Sequence, residues 1–116
     1  MTLREARIAF THFVCQLCIE VNTHPGYEVA LGEGMDRRTE RDPTSDHMTG
    51  SLHDVGLAQD IALYKNGVYL TKTEDYEFLG VLWESWGRTL DMPLFWGGRF
   101  TKPDGNHFSF GFYGKK

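Results

Sequence analysis

The dipeptide Asn66-Gly67 restricts the fold of this chain more than any other stretch of its sequence. It interrupts a strand-forming segment, since residues 57–73 read LAQDIALYKNGVYLTKT. A two-residue loop with positive φ at both positions matches the twist of two antiparallel strands, and Asn-Gly is a preferred sequence for that loop. The segment therefore predicts a β-hairpin, and with it an antiparallel sheet.

The N-terminal segment predicts an amphipathic helix. Thr2 followed by Glu5 has the spacing of a capping box, in which each side chain accepts the backbone N–H of the other residue. Apolar residues then recur every three or four positions as far as Val21, and a proline and a glycine follow. Cys15 and Cys18 fall within this pattern, so we interpret them as buried thiols rather than as a redox or zinc pair.

A second helix is predicted after the hairpin. Thr73 has the residue type of an N-cap, and the periodic pattern continues to about Ser85. Gly87 follows closely, and glycine is the commonest residue just beyond the end of a helix. The apolar residues of this pattern are Tyr76, Leu79, Leu82 and Trp83.

Two further segments have the alternation of strands. Residues 27–34, YEVALGEG, predict a strand with one buried face, which would carry Tyr27, Val29 and Leu31. Residues 95–100, FWGGRF, read as a loop, and residues 107–113, HFSFGFY, read as a final strand. Its core-facing residues would be Phe108, Phe110 and Phe112.

Residues 36–50, DRRTERDPTSDHMTG, contain one apolar side chain, Met48. A polar segment of this length cannot bury much of itself, so we expect a long functional or mobile loop. The resulting order is helix, strand, loop, hairpin, helix, strand. It predicts an α+β fold, a small antiparallel sheet with helices packed on it. A chain of 116 residues is of the size of one domain.

Composition limits the possible partners. The net charge is −4, so the chain lacks the basic surface that nucleic-acid binding requires, and we expect no nucleic-acid partner. No apolar run approaches the ~20 residues of a membrane helix, so we expect no membrane insertion. Charged residues interrupt the first twenty positions and no small-residue cleavage site follows. We therefore expect synthesis in a cytoplasm without a signal peptide.

His53 and Asp60 are candidates for one polar site. They lie seven residues apart (60 − 53 = 7). A straight strand would separate them by about 23 Å, and a helix by about 10.5 Å along its axis. Neither distance allows a shared ion, because ligand bonds to zinc are about 2.0–2.2 Å long. Gly56 lies between them and tolerates the bend that a shared site would need.

His107 offers a second imidazole at the start of the last predicted strand. Two histidines and one carboxylate leave a fourth position open, which is typical of catalytic zinc, whereas structural zinc sites fill all four positions. Asp104, three residues earlier, could serve as a base beside such a metal without binding it. From the spacing alone, however, solvated or core residues explain these side chains better than a metal site does.

A longer pattern contains these residues. It reads S-x-H-x-x-G-x-A-x-D, followed by W-G-G and D-x-x-H, with an R-T pair upstream. Its positions are Arg38, Thr39, Ser51, His53, Gly56, Ala58, Asp60, Trp96, Gly97, Gly98, Asp104 and His107. The pattern resembles a family of zinc peptidases, the D-alanyl-D-alanine carboxypeptidases and L-alanyl-D-glutamate endopeptidases, which cut the stem peptides of peptidoglycan. The resemblance extends over roughly residues 27–110.

The resemblance implies a role for each matching residue. Asp104 would be the general base, and Arg38 would stabilise the scissile carbonyl or bind a substrate carboxylate. Ser51 and Trp96 would contact the substrate. Arg37 stands beside Arg38, so the choice between the two arginines is open. The implied ligands of one Zn²⁺ per chain are His53, Asp60 and His107.

The resemblance also implies a fold and a function. The fold would be that of D-Ala-D-Ala peptidases and hedgehog signalling domains, forming a single catalytic domain over residues 1–116. We expect a monomeric zinc metallopeptidase that hydrolyses the L-alanyl-D-glutamate bond of bacterial peptidoglycan. It is most similar to a bacteriophage endolysin, which acts on the cell wall after release. The alternatives are a D-alanyl-D-alanine carboxypeptidase and a non-catalytic zinc-containing binding module.

Overall fold

The computed structural model describes residues 1–32 and 51–116. Arg37, Arg38 and the predicted loop at residues 36–50 lie outside the described residues. The described helices and strands are α1 Leu3–Val21, β1 Tyr27–Leu31, β2 Ala58–Lys65, β3 Val68–Tyr69, α2 Glu77–Leu90, β4 Leu94–Trp96 and β5 His107–Phe110. Short 3-10 helices precede α2, at Thr73–Tyr76, and follow β4, at Gly97–Arg99.

The strands form one antiparallel sheet in the order β1-β2-β5-β4, and β3 pairs with β2 as the second strand of the hairpin. Asn66 and Gly67 have φ values of 51° and 81°, as the predicted two-residue turn requires. The α+β fold class and the hairpin are therefore confirmed.

The two helices share one core with the sheet, and Trp83 of α2 lies at its centre with no exposed surface. The Trp83 ring meets Phe10 and Phe13 of α1 edge-on, with centroid distances of 6.0 Å and 6.2 Å. On the other side it meets Phe108 of β5 at 5.6 Å. Such edge-to-face contacts contribute about 0.5–1.5 kcal/mol each beyond the area that they bury. They fix both helices on one face of the sheet.

The first helix begins as predicted, but its cysteines are not both buried. Thr2 N–H donates to Glu5 Oε1 at 2.7 Å, and Glu5 N–H donates to Thr2 Oγ1 at 3.1 Å, which completes the capping box. The prediction of two buried thiols was wrong, because Cys15 is exposed and Cys18 is half-buried. Each helical residue turns the chain by about 100°, so Cys15 faces away from the buried side chain of Leu17 two positions later.

The predicted ends of the second helix were wrong. Thr73 is not the N-cap of α2 but begins the 3-10 helix before it, where the Lys72 N–H donates to the Asp75 carboxylate at 3.0 Å. Gly87 lies inside α2, and the helix ends at Leu90 with Asp91 in the left-handed conformation, at φ 53°. A short Asx side chain tolerates that conformation, so aspartate ends the helix in place of glycine.

Two strand predictions also need correction. Residues 95–100 are not all loop, because Leu94–Trp96 forms β4 and pairs with β5. In β1, Tyr27 and Val29 are half-buried as expected, but Leu31 is 53% exposed. Within the described sheet, β1 is an edge strand with β2 as its neighbour, so the end of β1 is covered from one side.

Two of the three core residues predicted for the final strand are buried. Phe108 and Phe110 are buried, whereas Phe112 lies beyond β5 and is half-buried. In the described part of the chain, no helix has both the length and the apolar character needed to cross a membrane.

Candidate metal centre

Asp60 and His107 are brought together by strand pairing. Asp60 of β2 lies directly opposite His107 of β5 in the antiparallel register. Opposite residues of paired strands point to the same face with Cβ atoms about 4.5–5.5 Å apart. The Ile61 N–H donates to the Asn106 carbonyl at 2.8 Å and extends this pairing by one residue. Two side chains 47 positions apart in sequence (107 − 60 = 47) thus become neighbours.

His53 reaches the same point from a turn. Gly56 has φ 77°, and its N–H donates to the His53 carbonyl at 3.3 Å. The Leu57 N–H then returns to the Leu52 carbonyl at 2.8 Å, so the chain reverses before β2 begins. This reversal places His53 Nε2 3.5 Å from Asp60 Oδ1. The bend that was predicted at Gly56 is confirmed.

Arg7 of α1 holds this turn in place, a contact that the sequence analysis missed. Its Nε donates to the Val55 carbonyl at 2.6 Å, and a Cβ atom on Gly56 would lie 3.4 Å from the same Nε. An arginine on an amphipathic helix carries no sequence signal for a partner 48 residues away.

The three side chains form a group that fits a metal ion. One nitrogen or oxygen atom from each of His53, Asp60 and His107 lies within 4.8 Å of the other two. The two imidazole rings meet at a centroid distance of 5.2 Å and an angle of 69°. Asp60 Oδ1 and His107 Nε2 are shielded from solvent, which favours a strong interaction with a cation. Two imidazoles and a carboxylate are a donor set that zinc accepts, with room for a further ligand.

Two glycines allow the main chain to approach this group closely. A Cβ atom on Gly32, just after β1, would lie 2.6 Å from Asp60 Cβ. A Cβ atom on Gly97 would lie 2.8 Å from His107 Cβ and would collide with the Asp104 carbonyl. Any side chain at either position would therefore displace a member of the group. Gly97 belongs to the W-G-G element, whereas Gly32 was not singled out from the sequence.

Asp104 lies on the turn that leads into His107. Its N–H donates to the Gly97 carbonyl at 2.9 Å, and its carbonyl accepts the His107 N–H at 3.1 Å. Its side chain is exposed and does not belong to the three-residue group. The main chain of Asp104 is thus hydrogen-bonded to that of His107, and its role as a base stays a prediction.

Trp96 supports this turn from the side of α2. Its ring is 2% exposed and lies against Gly80 of α2, where a side chain would collide with it. The indole N–H donates to the Gly105 carbonyl at 2.6 Å, which ties β4 to the turn before His107. A direct contact between Trp96 and a substrate stays a prediction, and little of the ring is accessible for it.

An ion pair between Arg99 and Glu84 connects the W-G-G segment to α2. The guanidinium donates to both oxygens of Glu84, with Nε at 3.1 Å and 3.3 Å, and its Cζ lies 5.1 Å from the centre of the Trp96 ring. Hydrogen bonding and charge from Glu84 raise the pKa of Arg99 above its ordinary value. Glu84 therefore positions the segment that carries Gly97.

Phe100 contacts the three-residue group, and Ser51 belongs to the turn that carries His53. The Phe100 ring lies against the His107 imidazole at a centroid distance of 5.1 Å, an apolar contact that sequence reasoning missed. Ser51 is half-buried, and its Oγ is shielded from solvent and has no hydrogen-bond partner among the described residues. The predicted substrate contact of Arg38 lies outside the described residues.

The sequence matches no protein-family model, and it matches no curated protein. The fold is similar to that of a solved structure, the L-Ala D-Glu endopeptidase ChiX of Serratia marcescens. The TM-score is 0.56 and the sequence identity is 24%, over 73% of this chain and 68% of that chain. At this identity the similarity establishes a shared fold.

Proposed function

We propose that this chain is a zinc-dependent peptidoglycan peptidase, a single catalytic domain over residues 1–116 that hydrolyses the L-alanyl-D-glutamate bond of the stem peptide. The observation that carries the proposal is the group of His53, Asp60 and His107, whose donor atoms lie within 4.8 Å of one another. It lies on a fold shared with an L-Ala D-Glu endopeptidase. The resemblance of the sequence pattern to such enzymes implies the same three residues as ligands.

His53, Asp60 and His107 would hold the ion, one per chain. Zinc bound there would supply Lewis acidity, which polarises a peptide carbonyl and makes water a better nucleophile near neutral pH. The other tasks belong to the side chains around it. Asp104, on the turn beside His107, would take the proton from the attacking water and pass it to the leaving nitrogen. Arg38 would orient the scissile carbonyl or a substrate carboxylate.

Shielding from bulk water would strengthen these interactions. His107 is 7% exposed, with Phe100 against one side of its ring. Charges interact more strongly in such a partly dry site than at an open surface. A rigid frame also helps, because catalytic geometry tolerates errors of only about half an ångström. The strand pairing of β2 with β5 and the turn at Gly56 provide that frame.

The biological setting is proposed from the sequence resemblance. We propose that the protein is a monomeric bacteriophage lysin, made in a cytoplasm and acting on the bacterial wall after release. A peptidase of this kind would meet stem peptides as its partner and would need no nucleic acid and no membrane insertion.

Digestion of purified peptidoglycan tests the proposed function. We expect mass spectrometry to find new N-terminal D-glutamate and new C-terminal L-alanine, a chelator to abolish their formation, and added zinc to restore it. Release of D-alanine instead would identify a D-alanyl-D-alanine carboxypeptidase. Zinc binding without any new terminus would identify the non-catalytic binding module. The His53→Ala variant is the matched negative control.

A further inference from the structure

A small cavity adjoins the segment that leads into His107, at the point where the pairing of β2 with β5 stops. Up to Ile61, β2 bonds to the segment that leads into β5, through the Asn106 carbonyl at 2.8 Å. Two residues further on, the Leu63 N–H donates instead to the Tyr76 hydroxyl at 3.1 Å. The gap between these two neighbours opens into a cavity of about 130 Å³. Asn106, which lines this cavity, directly precedes His107 of the metal group.

The two sides of the cavity are held together by a close main-chain contact. The turn at residues 103–106 forms one side, and residues 69–73 form the other. A Cβ atom on Gly105 would lie 2.5 Å from Thr73 Cα, so these two segments touch at that point. The Trp96 indole N–H also fixes the Gly105 carbonyl. The cavity thus has a rigid base on elements that also position His107.

The two sides carry opposite charges. Asp104 lines the cavity from the turn, and Lys72 lines it from the opposite segment. Tyr69 also lines the cavity, and its ring lies 5.4 Å from that of Tyr64, its partner across the hairpin. Burial, and then the neighbouring Tyr64, raise the pKa of the Tyr69 hydroxyl, so this group remains a neutral hydrogen-bond donor.

We propose that this cavity binds the free α-carboxylate on the leaving side of the scissile bond, and that Lys72 is the specificity-determining residue. The inference rests on the proposed function. A leaving D-glutamate that is joined onward through its side-chain carboxyl keeps its α-carboxylate, two bonds from the leaving nitrogen. Asp104 can give a proton to that nitrogen while Lys72 binds the carboxylate. The two charged side chains of the cavity therefore match the amino nitrogen and the α-carboxylate of D-glutamate.

The proposal explains how an acidic protein accepts an acidic substrate. The chain has a net charge of −4, and Asp104 alone would repel a carboxylate beside it. Lys72 supplies the compensating charge on the facing side. A carboxamide in place of the carboxylate has no charge to pair with Lys72. The enzyme would therefore prefer stem peptides with a free D-glutamate α-carboxylate over those with its amide.

Two matched synthetic substrates test the proposal, one with the α-carboxylate and one with the α-carboxamide. We expect the wild-type kcat/KM to be about 5- to 20-fold higher for the carboxylate, the range of a partly exposed charge-assisted contact. Lys72→Met should remove most of this preference, chiefly through a higher KM for the carboxylate, and Lys72→Arg should restore part of it. A Lys72→Met variant that keeps the full preference would overturn the proposal.

Lys65→Met is the control variant. Lys65 is exposed at the far end of β2, where its ammonium lies over the Tyr27 ring at 5.3 Å, and it does not line the cavity. We expect it to keep the wild-type preference. Equal zinc content and equal melting temperatures would show that all three lysine variants are folded. If Lys65→Met lost the preference as well, the preference would depend on the net charge of the protein rather than on Lys72, and the proposal would be contradicted.

Direct binding separates a failure of this inference from a failure of the proposed function. Free D-glutamate should shift amide resonances at residues 69–73 and 104–106 in the zinc-loaded protein, and its α-amide should shift them less. If neither substrate is cut but D-glutamate binds in this way and Lys72→Met abolishes it, the proposed function fails and the cavity assignment stands. If the substrates are cut but these resonances do not move, the cavity assignment fails alone.

Discussion

His53 is the member of the metal group that depends on a turn rather than on strand pairing. Its position follows from Gly56, at φ 77°, and from the Arg7 contact to Val55. Its ring therefore can be removed without disturbing the register that sets Asp60 opposite His107. A substitution at His53 tests the metal site more cleanly than one at either strand residue.

We predict that His53→Ala loses most of its zinc while the fold persists. Elemental analysis should find one zinc per wild-type chain and far less than one in the variant, because a two-ligand site binds zinc much more weakly. His12→Ala, at an exposed position of α1, should keep full occupancy. Full occupancy in His53→Ala would remove this residue from the site.

Asp104 provides the test that separates catalysis from binding. Asp104→Asn keeps the shape of the side chain and leaves the main-chain bonds to Gly97 and His107 in place. We predict that turnover falls by roughly 10²–10⁴, the usual contribution of a positioned general base. Zinc content should stay at the wild-type level, since Asp104 is outside the three-residue group.

Two other outcomes for Asp104→Asn would change the assignment. Loss of zinc would make Asp104 a ligand and would question the assignment of Asp60. Retention of both zinc and full activity would reduce Asp104 to a turn residue.

Helix α2 sets the position of β4, and through it the turn before His107. The contact point is Gly80, where the absence of a side chain lets the Trp96 ring lie directly on the helix. Trp96 then fixes the Gly105 carbonyl. The helix thus acts on the candidate metal centre through Gly80 and the Trp96 ring, although it supplies none of the three grouped residues.

We predict that Gly80→Ala destabilises the protein by about 1–3 kcal/mol, the usual cost of overpacking a rigid contact. The higher helix propensity of alanine would offset part of this cost. Val81→Ala is the control, because Val81 is 45% exposed on the same helix, and it should change the free energy of unfolding by less than about 0.5 kcal/mol. Urea unfolding measures the free energy of unfolding of both variants. If Gly80→Ala were as stable as the wild type, the Trp96 ring would have moved aside and the prediction would be wrong.

At the scale of the whole molecule, the Tyr76 hydroxyl links the hairpin to the 3-10 helix before α2. It accepts the Leu63 N–H at 3.1 Å and donates to the Leu70 carbonyl at 2.8 Å, and the residue is 2% exposed. Burial raises the pKa of Tyr76 from 10.0 to about 12. The folded state therefore holds this proton more tightly than the unfolded state does.

This difference predicts a loss of stability in alkali. The contribution of Tyr76 is fully present below about pH 10 and is lost as the pH rises toward about 12. We expect wild-type protein to lose about 2–3 kcal/mol more than Tyr76→Phe over this interval, measured by urea unfolding at fixed pH. Tyr113→Phe, at a position 91% exposed, should behave as the wild type does. An identical alkaline loss in Tyr76→Phe would contradict the prediction.

Much of the fold could be predicted because it depends on interactions between near neighbours in sequence. The capping box of Thr2 and Glu5 acts over three residues, and the Asn66-Gly67 turn acts over two. The need for a bend at Gly56 followed from simple distances between His53 and Asp60. The end of α2 was missed because Asp91 takes the left-handed conformation that glycine usually takes, and propensity alone favoured Gly87.

The metal group could be named from the sequence pattern, but its assembly depends on contacts between distant residues. Asp60 meets His107 because β2 pairs with β5 in one register, and a shift by one residue would turn one side chain to the other face. That register is set by burial of Phe108 under Trp83 and by the helices behind it. The pairing of β4, the Arg7 contact and the cavity beside Lys72 arise in the same way, from packing of the whole core rather than from local preference.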